Sequence, residues 1–464
     1  MSLVLVVVLA YVGLQLLLGL WVSRRVSSQT DYLLGGRTLG MTLCTASMFA
    51  TWFGAETCVG AAGEVYEHGL AAVSADPFGY GVCLLLFGVF VAGELRQRGY
   101  TTIADLFGSR FSPLTERVVA LLMLPGSVLW AAAQIRAFGQ VFAAASPGLS
   151  PMLGIALAGG ITLLYTASGG LLADVYTDLL QGVVLVGTLL VLTALVLLQL
   201  EGISWSALLQ TEPSSNQEAQ AALPSLNAWA VPIAGSIFTQ EIISRAVAAR
   251  TPRVARRSAL LAGAVYLVVG LVPVLLGLLA RQVLPGIAES EQVLPLLSRQ
   301  LLGEVGFVIL AGALISAILS TVDSALLAGG ALIVQNLVGQ RAQVWSDGAR
   351  LRLTRAAVVL LGCVAFGVAS LGSSVHSLVS ESSAFASAGL CVAGILGLFT
   401  RFGGARAALL SLTAGGVMYV YAAHVLESEI AYLLSLAGAL AGYALGALGE
   451  LRLGAQSPAG ARES

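Results

Sequence analysis

Windows of about 20 apolar residues, the length that crosses a bilayer as a helix, recur along almost the whole chain. They fall at residues 3–22, 40–65, 75–94, 115–144, 151–165 and 179–198. A second set follows at 228–248, 259–279, 306–338, 356–371, 375–399, 407–421 and 430–448. The pattern predicts an all-α polytopic membrane protein of about thirteen transmembrane helices. The first window lacks a basic flank ahead of it and exceeds the length of a leader's apolar region, so it reads as a retained span. Polar punctuation divides the chain into residues 1–39, 40–199, 200–225, 226–399, 400–450 and 451–464. These read as a first helix with its loop, five spans, a polar loop, five spans, two peripheral helices and a polar tail.

Two windows are interrupted. Residues 41–63 carry Thr51, Trp52, Gly54 and Glu56 where a plain span has only apolar side chains. Glycine weakens a helix by about 1 kcal/mol relative to alanine, and an intramembrane carboxylate needs a cavity or a partner. A broken helix whose freed carbonyls bind a ligand accounts for both. The first span of the second half is interrupted at 235–244, GSIFTQEIIS. Paired interruptions at corresponding places point to a five-plus-five inverted repeat with a site at the midplane.

Composition sharpens the class. The chain has 464 residues, 57% of them hydrophobic and 10% charged, with a mean hydropathy of +0.90. That is too little charge for a soluble surface. All 23 basic residues are arginine, and most lie near span ends such as Arg24, Arg25, Arg96, Arg98, Arg253, Arg256, Arg257, Arg350, Arg352 and Arg355. The opposite loops carry Glu64, Glu67, Glu201, Glu212, Glu218, Glu427 and Glu429, with Arg281 and Arg299. The excess of arginine on one side places the N-terminus outside and the C-terminus in the cytoplasm of a cell (inner) membrane. The 5 cysteines fall in apolar spans without metal spacing. His68, His376 and His424 show no ligand spacing either. No nucleic-acid surface or obligatory protein partner is expected; the partners are the bilayer and a small solute.

Three groups of residues could carry chemistry. In residues 306–338, Ser316, Ser320, Thr321, Asp323 and Ser324 make the most hydroxyl-rich span, with Ser320 and Ser324 on one face. Hydroxyls and carbonyls without a full carboxylate shell suit a monovalent hard cation, while close helix packing explains small hydroxyl residues equally well. Asp323 favours the cation. Trp52, Tyr80 and Trp130 with Glu56 and Asp76 suit an organic cation, and the same carboxylates suit sugar hydroxyls. Arg136, beside Gln134, either neutralises Glu56 or Asp76, snorkels outward, or favours a carboxylate on the solute.

With these residues in view, the chain resembles the sodium:solute symporter family, whose core is a LeuT-type five-plus-five inverted repeat. DYLLGGRTLG precedes the interrupted span, YTASGGLLADVYTDLLQ forms a glycine-rich turn, FTQEIISRAVAAR ends the sixth core helix and AILSTVDSALL marks the sodium helix. The resemblance implies sodium held by carbonyls of Ala50, Phe53 and Ala317 and by the hydroxyls of Ser320 and Thr321. A second sodium in some members implies Asp178, Ser320, Asp323 and Ser324, with aspartate at 323 where a hydroxyl is expected. Trp52, Tyr80 and Trp130 look like the choline-transporting branch, although Thr239 stands where that branch has tryptophan. Glu56, Thr57, Asp76 and Thr239 fall where the sugar-transporting branch has polar contacts, and Gln240 adjoins them. The expectation is sodium-coupled symport of a small polar organic solute, an amine or a sugar, by alternating access with one or two sodium ions. A solute sensor, a channel or proton-coupled uptake are the rivals. No nucleophile–base pair argues for an enzyme.

Overall fold

The computed structural model describes residues 28–70, 77–145, 151–199, 222–339, 345–371 and 374–455, with single positions at 10, 13 and 17. The first predicted span, most of the 200–225 loop and the end of the tail therefore lie outside the described residues. The described residues are helical almost throughout. Among them, 8 helices are long and apolar enough to cross a bilayer, or 9 if the bent pair Val375–Ala384 and Ser387–Phe399 is one span. The count falls below the sequence expectation partly because the interrupted spans are too short in each piece to qualify. The helix Met41–Ala50 is one such piece.

The interruptions lie where the polar residues fall. Met41–Ala50 ends in a turn over residues 51–54, followed by π-helical Glu56–Ala61 and helical Ala62–His68. In the other interrupted span, Ala222–Ala230 and π-helical Val231–Gly235 stop at Ser236, and Gln240–Ala248 resumes after an extended Thr239. The two broken helices are joined at one end by a short parallel bridge. Leu39 N–H bonds the Ala248 carbonyl (3.1 Å), and Arg250 N–H bonds the Leu39 carbonyl (3.0 Å).

The helix Val293–Ala331 runs through the middle of the bundle. Every residue from Leu310 to Ala331 is buried, as expected of a helix that is apolar or small on all faces. Pro151–Gln199 bends at Gly170, where φ is +68° and a side chain would press on Tyr32 at 2.7 Å. Only glycine tolerates both constraints. Ala405–His424 and Ala431–Ala455 pair at the edge of the bundle, with Gly442 close against the Leu410 carbonyl.

Candidate functional site

The break after Ala50 frees backbone oxygen. The N–H groups of Thr51, Trp52, Phe53 and Gly54 turn back to Ser47, Phe49 and Trp52, so none of them takes the Ala50 carbonyl. Tyr266 fixes this turn. Its hydroxyl bonds the Trp52 carbonyl (3.2 Å) and the Thr57 hydroxyl (2.6 Å), while its ring meets Phe53 edge-on at 5.9 Å. Gly54 brings the turn against the central helix: a methyl group there would sit 3.7 Å from the Ala317 Cβ and 3.8 Å from the Thr321 Oγ1. Thr321 Oγ1 in turn donates to the Ala317 carbonyl (2.9 Å). Gly54 thus brings the turn that begins at Ala50 against Ala317 and Thr321, all of them buried, and the oxygens on offer there are neutral, the kind that suits a monovalent cation.

Ser320 faces elsewhere. Its hydroxyl lies between the two acids, 2.6 Å from Asp174 Oδ1 and in contact with Asp178 Oδ1, and its single proton is shared between them. Ser324 donates to Asp174 Oδ2 (2.6 Å), and Ser47 to Asp178 Oδ2 (2.5 Å). Into this group comes Arg245, absent from the predicted site. Its Nη2 lies 2.9 Å from Asp174 Oδ2, 3.5 Å from Asp178 Oδ2 and 2.6 Å from Ser324 Oγ. Its Nε reaches the Ser47 hydroxyl at 2.7 Å and the Ser47 carbonyl at 3.1 Å. Asp323 lies near Tyr32 instead, whose phenol is held above its ordinary range by burial and, secondly, by the Asp323 charge. The Arg355 guanidinium sits 5.7 Å above the Tyr32 ring.

Beside the breaks lies a cleft bordered by both broken helices. Trp52, Trp130 and Phe238 wall it with aromatic faces, Thr239, Gln240 and Glu241 close one side, and Ser236, Ser382 and Ser383 add hydroxyls. Of the predicted substrate residues, Trp52, Trp130, Thr239 and Gln240 line it. Gln240 is committed to structure, accepting from Ile103 N–H (2.9 Å) and donating to Ser244 (3.0 Å). Tyr80 stands behind Trp52, with ring centroids 5.0 Å apart, and its hydroxyl pairs with Ser383 (3.0 Å). Thr57 is occupied by Tyr266, and Glu56 is buried in the π-helical turn away from the cleft walls. Asp76 lies outside the described residues. Arg136 comes within 3.8 Å of Glu291, whose other oxygen accepts from Val375 N–H at 2.6 Å.

The carboxylate in the cleft is Glu241, which the sequence reading passed over. Among the described residues it takes a hydrogen bond from Ser127 (3.2 Å) and forms no ion pair. Its signal was available: an acid following directly on the Thr239–Gln240 pair of an interrupted span. Arg245 had a signal as well, since a buried arginine in a membrane helix requires an acid partner, and Asp174 and Asp178 were in view.

Comparison with known proteins places these features in a family. The sequence profile of the sodium:solute symporter family matches residues 32–415. The high-affinity choline transporter 1 of Drosophila melanogaster is 26% identical over 407 residues, 81% of this chain. The match spans less than two thirds of that relative, 63% of its length. The sodium/glucose cotransporter of Vibrio parahaemolyticus is 24% identical over 449 residues, covering 87% of this chain and 82% of that protein. A Na+-coupled sialic acid symporter, solved in a substrate-bound outward-open state, shares the fold with a TM-score of 0.79 at 16% identity, covering 97% of this chain and 98% of its own. The profile match extends over most of the chain, through both broken helices and the central helix, and the chain belongs to the sodium:solute symporter family.

Proposed function

We propose that this protein is a secondary-active transporter that carries a small organic solute into the cell together with sodium. The observation that carries the reading is the turn after Ala50, seated by Gly54 against Ala317 and Thr321. Sodium bound there would bridge the first broken helix and the central helix. Its binding free energy would favour the arrangement in which the two are close, which is how an ion biases an alternating-access equilibrium. The division into repeats at 40–199 and 226–399, and a cytoplasmic C-terminus, belong to the same reading and follow from the interruptions and the arginine distribution.

The solute is an organic cation. Aromatic faces from Trp52, Trp130 and Phe238 attract a cation through their quadrupoles, and the Glu241 carboxylate beside them favours a positive ligand over a neutral one. The hydroxyls of Ser236, Ser382 and Ser383 favour a second reading, a sugar or another polyol. A thermal-shift screen of amines, quaternary ammonium compounds, sugars and amino acids, with and without sodium, separates the two. An amine or quaternary ammonium hit that needs sodium is expected. A sugar hit establishes the second reading, and sodium-independent stabilisation by every hit sinks the coupling. Uptake of the hit into proteoliposomes under a sodium gradient then tests transport directly.

A further inference from the structure

The acid and hydroxyl group around Asp174 has the makings of a cation site: two carboxylates one helical turn apart, with Ser47, Ser320 and Ser324, all buried. The family resemblance implies a second sodium at Asp178, Ser320, Asp323 and Ser324, of which Asp323 lies toward Tyr32 instead. The oxygens are already spoken for. Asp174 Oδ1 accepts from Ser320, and its Oδ2 accepts from Ser324 and Arg245. Asp178 Oδ1 competes with Asp174 Oδ1 for that same Ser320 proton, and its Oδ2 accepts from Ser47 and Arg245. Both Oδ2 oxygens therefore face the guanidinium as well as a hydroxyl, the two Oδ1 oxygens share the one Ser320 proton, and the positive charge among them is a guanidinium.

We propose that Arg245 is a tethered cation holding the second position, so that the chain carries a single exchangeable sodium. A guanidinium offers donors in a fixed planar fork that carboxylates match, and it stays charged at any working pH. Removing a charge from water into this interior is costly, and the cost is offset only by pairing of the kind that Asp174 and Asp178 provide. A free ion competing for the same oxygens faces a rival anchored by its own backbone, present at high effective concentration. The arm also joins elements as an ion would. Arg245 stands on the second broken helix and binds Ser47 on the first, Asp174 and Asp178 on the helix beyond Gly170, and Ser324 on the central helix.

This inference rests on the sodium reading above, and the experiment keeps the two apart. Equilibrium binding of radioactive sodium to the purified full chain in nanodiscs is expected to saturate at one ion per chain in the native protein and in Asp178→Asn. Thr321→Ala should weaken that ion. Arg245→Gln, which keeps a donor but removes the charge, should gain a second sodium that Arg245→Gln with Asp178→Asn loses again. Two ions in the native protein, one of them lost in Asp178→Asn, would overturn the tethered cation alone. So would a folded Arg245→Gln that still binds one. No saturable sodium in the native protein would overturn the symport reading and this inference with it. If Arg245→Gln does not fold, the native and Asp178→Asn stoichiometries decide.

Discussion

Thr321 and Glu241 do different work at neighbouring places. Thr321 supplies a neutral oxygen beside the Ala317 carbonyl. Losing one such group removes about 1 to 2 kcal/mol of ion binding, and about 1.4 kcal/mol is a tenfold change. Thr321→Ala is therefore expected to raise the sodium concentration for half-maximal uptake by about tenfold, with solute affinity at saturating sodium little changed. A sodium titration of uptake checks this, and an unaltered curve would remove Thr321 from the site. Glu241 is assigned to the solute. Glu241→Gln keeps the bond from Ser127 and deletes the charge, so binding of an organic cation should weaken by about tenfold or more while sodium-induced stabilisation remains. Equal weakening of a neutral polyol would show that the carboxylate acts by hydrogen bonding.

At the scale of the element, the breaks depend on close approach. A methyl group on Gly235 would come within 2.3 Å of the Ser383 carbonyl oxygen, where the second broken helix crosses the bent pair that follows. Backbone cannot yield as a side-chain tip can, so Gly235→Ala is expected to cost about 1 to 3 kcal/mol through overpacking. Gly182 has open space around it, and alanine there should be neutral or slightly stabilising. Thermal unfolding of the two variants gives the comparison, and equal melting points would refute the crossing. These elements show what the sequence could convey. The breaks were legible because polar and small residues in an apolar window have few other uses. The family motifs suggested Ala50, Phe53, Ala317 and Thr321, and the turn after Ala50 does lie against Ala317 and Thr321. Glu241 and Arg245 carried the local signals noted above, but which partners they meet, Ser127 and Asp174, and that Tyr266 meets Trp52, depends on contacts far along the chain. Periodicity assigns a face, but it does not say which helix lies opposite.

For the whole molecule, the segment before the central helix folds over the bundle. Glu291 there reaches both Val375 N–H and the neighbourhood of Arg136, and Gln292 Nε2 bonds Gln140 Oε1 at 3.0 Å. These contacts are expected to favour closure of one end of the bundle. Arg136→Gln is expected to shift the population toward opening at that end. The measurement is the labelling rate of a cysteine placed at Gln140 in a Cys363→Ser background, which should rise severalfold. An unchanged rate would mean that the contact does not gate this end.

The bridge between Leu39 and Ala249 has a mechanical meaning. On the symport reading proposed above, both broken helices border the solute and the first also holds the ion, so the pair joined at one end would work as a lever with a common fulcrum. A displacement begun by the ion would then reach the second broken helix through this backbone bridge. Spin labels at Met41 and Arg250 should therefore keep one distance throughout the cycle, while the distance from either to Asp347 changes when sodium is added. Independent movement of Met41 and Arg250 would show two levers, each answering its own cargo.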